Sequence, residues 1–170
     1  MSSIIKSEKV IKESLEILAN KINKDYKDID VIDIICFVNG ASIFCSDLIK
    51  LINIPTKLHY FKFSMYQDLP SNGEVQIDQD VTDSLQNKHI LLLEGLVISG
   101  RTPLYLYNFF KLRNPASIKF CAVGIKKETI QVELNVDYHM FNFQDEWVEG
   151  YGIGNMENKI LPCLVNVRED

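Results

Sequence analysis

The stretch His89-Ile-Leu-Leu-Leu-Glu94-Gly95-Leu-Val-Ile98-Ser99-Gly100-Arg101-Thr102 decides the fold. An aliphatic run leads through one carboxylate into a small hydroxylated turn, and a helix-compatible segment follows. At a strand-to-helix junction the first N–H groups of the helix have no internal partner and point outward. A glycine turn flanked by Ser99 and Thr102 can therefore wrap a phosphate monoester with N–H and O–H donors. An ordinary helix start would use the same residues, so the phosphate reading needs support from the rest of the chain.

Outward from that stretch, the strand-turn-helix pattern repeats. Residues 7–26 carry Val10, Ile11, Leu15, Ile17, Leu18 and Ile22 at helical spacing among Lys and Glu, which predicts an amphipathic helix. Residues 31–38 are a nearly unbroken Ile- and Val-rich run, as in a parallel strand covered on both faces. Asn39-Gly40-Ala41 then makes a turn, and residues 42–51 fit a second helix. Alternation over 58–66 predicts a strand, and 67–73 is a surface loop by composition. After the opening motif, Pro103 is acceptable in the first turn of a helix reaching Arg113. Strands are expected at 118–125 and 136–143, then a loop at 144–151 with the only tryptophan, and a last strand at 164–167 that closes the sheet. The class is α/β, a central mostly parallel sheet flanked by helices, and ligands in such sheets collect at the carboxyl ends of the strands.

Composition sets the outer bounds. The 170 residues suit one domain over 1–170, with about 70% of the extended chain's surface buried. No apolar run approaches the roughly 20 residues of a membrane span, and no signal-peptide pattern opens the chain, so a cytoplasmic protein without a membrane partner is expected. Cys36, Cys45, Cys121 and Cys163 sit singly in apolar stretches and read as buried thiols. A formal charge of −5 argues against a nucleic-acid partner, an RNA-binding regulator included, but leaves small anionic ligands open. His59, His89 and His139 lack metal-ligand spacing and read as structural, while Asp145 and Glu149 read as part of a solvated loop.

Four segments, in order and spanning most of 34–167, resemble the hypoxanthine-guanine phosphoribosyltransferases, a family of type I phosphoribosyltransferases. Cys36-Phe-Val-Asn39-Gly40-Ala41 is similar to the family's pyrophosphate loop. Phe63-Ser64-Met65-Tyr66 with Gly73-Glu74-Val75-Gln76-Ile77 looks like its flexible loop. The opening motif is the third segment, and Gly124-Ile-Lys126 with Asp145-Glu-Trp147-Val148-Glu-Gly150-Tyr151-Gly152 resembles its purine site. The resemblance implies a sheet with a small hood, and a homo-oligomer, dimer or tetramer, for which the Phe61-Phe63 strand and the Tyr105-Tyr107-Phe109-Phe110 helix offer apolar surface.

Carried over by position, the resemblance gives Ser99, Gly100, Arg101 and Thr102 to the ribose 5′-phosphate and Glu94 to a ribose hydroxyl. Lys126 would donate to the purine 6-oxo oxygen, Trp147 would stack on the base, and Val148 would offer its main chain to the base edge. A solvated strand end at Lys126 and a core cap at Trp147 are the plain alternatives. The catalytic positions depart from the family. Ile98 stands where an acid-base Asp is usual and cannot accept a proton; Glu94 and Ser99 fix that alignment from both sides. Gly95 replaces a second ribose-directed acid and Gly154 an Asp of the magnesium shell. Asn39 replaces the pyrophosphate-loop lysine, and Met65, beside Tyr66, the flexible-loop serine.

Losing a general acid-base costs about 100- to 10,000-fold. Two functions follow. One is a purine salvage phosphoribosyltransferase, with magnesium and phosphoribosyl pyrophosphate, of impaired or absent turnover. The other is a non-catalytic purine-nucleotide-binding regulatory or interaction module. Restoring acids with Ile98→Asp and Gly95→Asp together is the expected route to higher turnover.

Overall fold

The computed structural model describes residues 3–38, 40–65 and 75–168, Met65 by its main chain alone; Asn39, the Met65 side chain, Tyr66 and the 67–73 loop lie outside the described residues. In chain order the elements are β1 (Ser3–Lys6), α1 (Glu8–Asp25), β2 (Ile32–Val38), α2 (Ser42–Leu48), β3 (Thr56–Met65), β4 (Val75–Gln79), β5 (His89–Val97), α3 (Arg101–Lys111), β6 (Ser117–Ile125), β7 (Tyr138–Asn142), β8 (Val148–Glu149) and β9 (Leu164–Asn166). A 3-10 turn, Lys127–Thr129, follows β6.

The larger sheet has the order β4-β3-β2-β5-β6-β7, parallel from β3 through β7 and antiparallel only at the β4 edge. Strand alternation sends Ile34, Cys36, Leu91, Leu93, Cys121 and Val123 to one face, where α1 and α2 cover them. Ile35, Phe37, Ile90, Leu92, Phe120 and Ala122 go to the other, under Leu106 and Phe110 of α3. Helix α1 starts where the Ser7 side chain accepts the Val10 N–H, and it buries the stripe Ile11, Leu15, Leu18 and Ile22. Ile17 falls outside that stripe and is 72% exposed.

Several sequence expectations change. Strand β5 runs on past the aliphatic run and its carboxylate: its ladder to β6 continues through Glu94↔Ala122, Leu96↔Gly124 and Val97↔Ile125. Helix α2 ends at Leu48, short of residue 51. The last strand does not close the main sheet. It pairs antiparallel with β1 (Ser3↔Asn166, Ile4↔Val165) and β8 (Val148↔Asn166), making a separate small sheet, the hood. Its true partner, β1, is four residues long and carries no alternation signal of its own.

Of the aromatic residues offered as an interface, Phe61 and Phe110 are core, Phe63, Tyr107 and Phe109 are partly buried against it, and Tyr105 is exposed. Phe61 and Phe110 are buried with ring centroids 5.0 Å apart, and Phe61 and Phe109 stand 5.8 Å apart. Cys36, Cys45 and Cys121 are buried and free, whereas Cys163 is half-buried. His59 meets Asp33 at 2.8 Å inside the core, and His89 meets Ser117 at 2.8 Å, both pairs in the early halves of their strands, remote from the carboxyl edge. Among the described residues no helix is long and apolar enough to cross a membrane.

Candidate functional site

The turn between β5 and α3 is held by the segment that follows β6. Gly100 caps α3 with φ 77°, a left-handed conformation that a side chain disfavours. A Cβ there would also lie 3.0 Å from Val132 Cγ2 and 3.4 Å from Ile130 Cγ2. The Ile98 carbonyl accepts from Thr129 Oγ1 at 3.0 Å and the Ser99 carbonyl from the Gln131 N–H at 2.9 Å. With both carbonyls occupied on that side, the N–H groups of Ser99 and Gly100 make no main-chain hydrogen bond among the described residues. Ser99 Oγ accepts the Arg101 N–H at 3.4 Å, so its own proton stays available to an outside acceptor. The first turn of α3 carries no acidic residue, which keeps its positive dipole end uncompensated. Arg101 is exposed and Thr102 half-buried beside this turn.

Glu94 projects from the interior of β5 beside the turn after β2. Its Oε1 accepts the Gly95 N–H at 2.7 Å and would lie 3.4 Å from a Cβ on Gly40. Burial pushes its carboxyl up to about 7, against a smaller downward pull from the Gly95 N–H. A carboxyl raised in the folded state penalises folding once it ionises. The penalty is absent below about pH 4.5, grows as pH rises through 7 and is complete above it. Glu94→Gln is therefore expected to stabilise the chain by roughly 2–3 kcal/mol at pH 8 and leave it unchanged at pH 4.5. Urea midpoints at the two pH values check this; an equal shift at both would contradict it.

Gly95 is not an open position. A Cβ there would meet the Gly40 carbonyl oxygen at 2.8 Å and Ile153 Cγ1 at 3.1 Å. The same Gly40 oxygen would lie 3.0 Å from a Cβ on Gly152, so the turn after β2 is wedged between β5 and the hood. The expectation that an acid can simply be restored at 95 is corrected by this close approach.

Lys126 ends β6. Its N–H donates to the Val97 carbonyl at 2.9 Å, its side chain is buried at 8% exposure, and its ammonium has no hydrogen-bond or ion-pair partner among the described residues. The solvated-strand-end reading fits Lys127 and Glu128, which are exposed, and not Lys126. Trp147 does not cap the core: its main chain is pinned by Asn166 Oδ1 at 2.9 Å and by the Val167 N–H at 3.0 Å, and its side chain leaves it 64% exposed. Val148 buries its side chain in the core and fixes the main chain of β8 against Asn166. Ile98, at the head of the turn, is 49% exposed, an unusual place for an aliphatic side chain.

Glu149 corrects the solvated-loop expectation. It is buried in β8, Asn158 Nδ2 donates to its Oε2 at 2.8 Å, and its Cβ, Cγ and Cδ fill the space that a side chain at Gly154 would need. The only hint in the sequence was a charge between Val148 and Gly150 in a strand-compatible run. Asp145 is exposed and pairs with Arg168 at 3.2 Å.

No group of three or more His, Cys, Asp or Glu able to hold a metal occurs among the described residues. Glu94 bonds its own neighbour and Glu149 is held by Asn158, so the carboxylates present do not form a cage. Magnesium fits this site only as an ion carried by a pyrophosphate, since it keeps several waters and takes few protein ligands.

The phosphoribosyl transferase domain family matches residues 1–154. The chain is 33% identical over 172 residues to a hypoxanthine-guanine phosphoribosyltransferase of Dictyostelium discoideum, covering 98% of this chain and 96% of that one. A Streptococcus pneumoniae enzyme of the same name is 30% identical over 172 residues, covering 100% and 95%. Among solved structures, a Bacillus anthracis hypoxanthine-guanine phosphoribosyltransferase superposes with TM-score 0.92 at 27% identity, covering 98% of both chains. The Trypanosoma cruzi hypoxanthine phosphoribosyltransferase in complex with the product IMP gives TM-score 0.90 at 27% identity, covering 97% and 93%.

Proposed function

The chain belongs to the phosphoribosyl transferase domain family, among the hypoxanthine-guanine phosphoribosyltransferases of purine salvage, and from that premise we propose that it binds a 6-oxopurine nucleotide, or phosphoribosyl pyrophosphate, while transferring the phosphoribosyl group weakly or not at all. In this reading Ser99, Gly100, Arg101 and Thr102 hold the 5′-phosphate, and Glu94 takes a ribose hydroxyl. Lys126, Trp147 and the Val148 main chain hold the base. Asn39 and Gly40 would face the pyrophosphate, with Met65 and Tyr66 closing over it. In the forward reaction N9 of hypoxanthine or guanine would displace pyrophosphate at the anomeric carbon, giving IMP or GMP and releasing one proton from the base. Magnesium would neutralise the departing pyrophosphate. The active unit is proposed to be a homo-oligomer in the cytoplasm.

The observation that carries the reading is Lys126. The residue is only 8% exposed, yet its ammonium is not among the fully enclosed polar atoms left without a partner, so a packed stem ends in a cation that an outside acceptor can reach at the carboxyl edge of the sheet. An ammonium only donates, so the acceptor it selects is a 6-oxo oxygen and not a 6-amino group. Weak transfer is supported by Ile98, which can neither take nor give a proton in the acid-base position. A purely regulatory or interaction role, the second reading, is favoured by the filled spaces at Gly95 and Gly154, which leave no room for two further acids.

Lys126→Met, which keeps length and apolar bulk, is expected to weaken GMP and IMP about 30- to 100-fold, as loss of a charged hydrogen bond would. Ribose 5-phosphate, lacking the base, should bind as before. Calorimetric titration of the three ligands checks this, and unchanged GMP affinity would overturn the purine reading.

A further inference from the structure

Ile98 lies between the two anchor points of the proposed ligand. It directly precedes Ser99 in the phosphate turn, and the Thr129 hydroxyl joins its carbonyl, at 3.0 Å, to the Lys126 carbonyl, at 2.9 Å. Val97 and Ile125 are register partners in the parallel β5-β6 pair, so residues 98 and 126 emerge side by side at the carboxyl edge. A purine nucleotide offers its atoms in a fixed order along one edge: the phosphoribosyl group on N9, then C8, then position 7, then the 6-oxo oxygen. With the phosphate on the turn and the 6-oxo oxygen on Lys126, the atoms facing residue 98 are C8 and position 7. The opposite edge, positions 1 and 2, points away from β5.

An ordinary purine has an acceptor nitrogen at position 7. Ile98 cannot donate to it, the single proton of Thr129 Oγ1 is engaged by two carbonyls, the Ser99 hydroxyl is allotted to the phosphate, and the Lys126 ammonium, directed at the 6-oxo oxygen, serves position 7 only by sharing. Setting an acceptor against this aliphatic side chain costs it water contacts on that side, with no donor from residue 98 in their place. A carbon at position 7 has no such requirement and gains apolar contact. We infer that Ile98 is a specificity-determining residue and that the site takes 6-oxo nucleotides of the 7-deazapurine class at least as well as ordinary purine nucleotides. The inference rests on the purine-site reading above and refines its ligand.

The test titrates the intact chain with GMP and with 7-deaza-GMP, then repeats both with Ile98→Asn, whose amide can donate to N7. The expected result is about three- to tenfold tighter binding of 7-deaza-GMP by the unmodified chain, inverted in favour of GMP by the Asn variant. Tighter binding of GMP by the unmodified chain overturns the inference and leaves the purine-site reading standing. So does a ratio that does not move in an Asn variant with an unchanged melting temperature. If neither nucleotide binds, the purine-site reading fails and takes this inference with it. The two ligands on the unmodified chain decide the preference even if the variant does not fold.

Discussion

Replacing Ile98 by Asp should raise phosphoribosyl transfer to guanine by about 100-fold, the lower end of what a positioned acid-base contributes. The position can accept the change. Ile98 is 49% exposed, heads a turn whose carbonyls are already tied to Thr129 and Gln131, and contributes to neither core cluster. A carboxylate there stays hydrated in the free chain and leaves the strand edge next to residue 126, so its effect on stability should be within about 0.5 kcal/mol. The gain is read as the initial rate of GMP formation from guanine, phosphoribosyl pyrophosphate and magnesium, at equal protein and with a matching melting curve. An unchanged rate in a folded variant would place the deficit elsewhere in the site.

The opposite outcome is expected at Gly95. Asp there needs a Cβ 2.8 Å from the Gly40 oxygen, main chain that cannot rotate away as a side-chain tip can, and 3.1 Å from Cγ1 of the Ile153 side chain. It would also add a second carboxylate next to Glu94, in a place where burial already pushes one carboxyl up to about 7. Overpacking costs about 1–3 kcal/mol and an unpaired buried acid several more, so a loss of about 3 kcal/mol or greater is expected. Gly95→Ala carries the steric part alone and should cost about half of that or more. Urea unfolding of both variants measures the split. Adding Gly95→Asp to Ile98→Asp should then lower transfer below that of Ile98→Asp alone, because displacing the Gly40 turn moves the residues that would face the pyrophosphate. Wild-type stability of Gly95→Asp would show that the turn yields freely and would contradict this account of the site.

The parts of the fold written in short windows were legible from sequence. Apart from Asp33 and His89, residues 32–38 and 89–93 are apolar on both faces because both faces are covered, and the Ser99-Gly100 turn announces itself by residue type. The hood was not legible as such, since a three-residue strand such as β9 has no periodicity and its partner β1 lies at the other end of the chain. By residue type Glu94 ends an aliphatic run, whereas it belongs to the strand interior; the ladder to Ala122 that extends β5 depends on β6. The filled spaces at Gly95 and Gly154 were hidden for the same reason. An alignment shows a missing acid, but only packing shows that Gly40 and Glu149 have taken its room. Lys126 and Trp147 were placed by resemblance, and their burial and exposure give that placement a physical argument of its own.

A paired measurement on the unmodified chain tests the central claim: calorimetric titration with GMP, and quantification of GMP made from guanine, phosphoribosyl pyrophosphate and magnesium under the same conditions. The prediction is saturable binding with turnover at least about 100-fold below an ordinary enzyme rate of about 10 per second. Turnover within about tenfold of that rate, or no GMP binding at all, would contradict it.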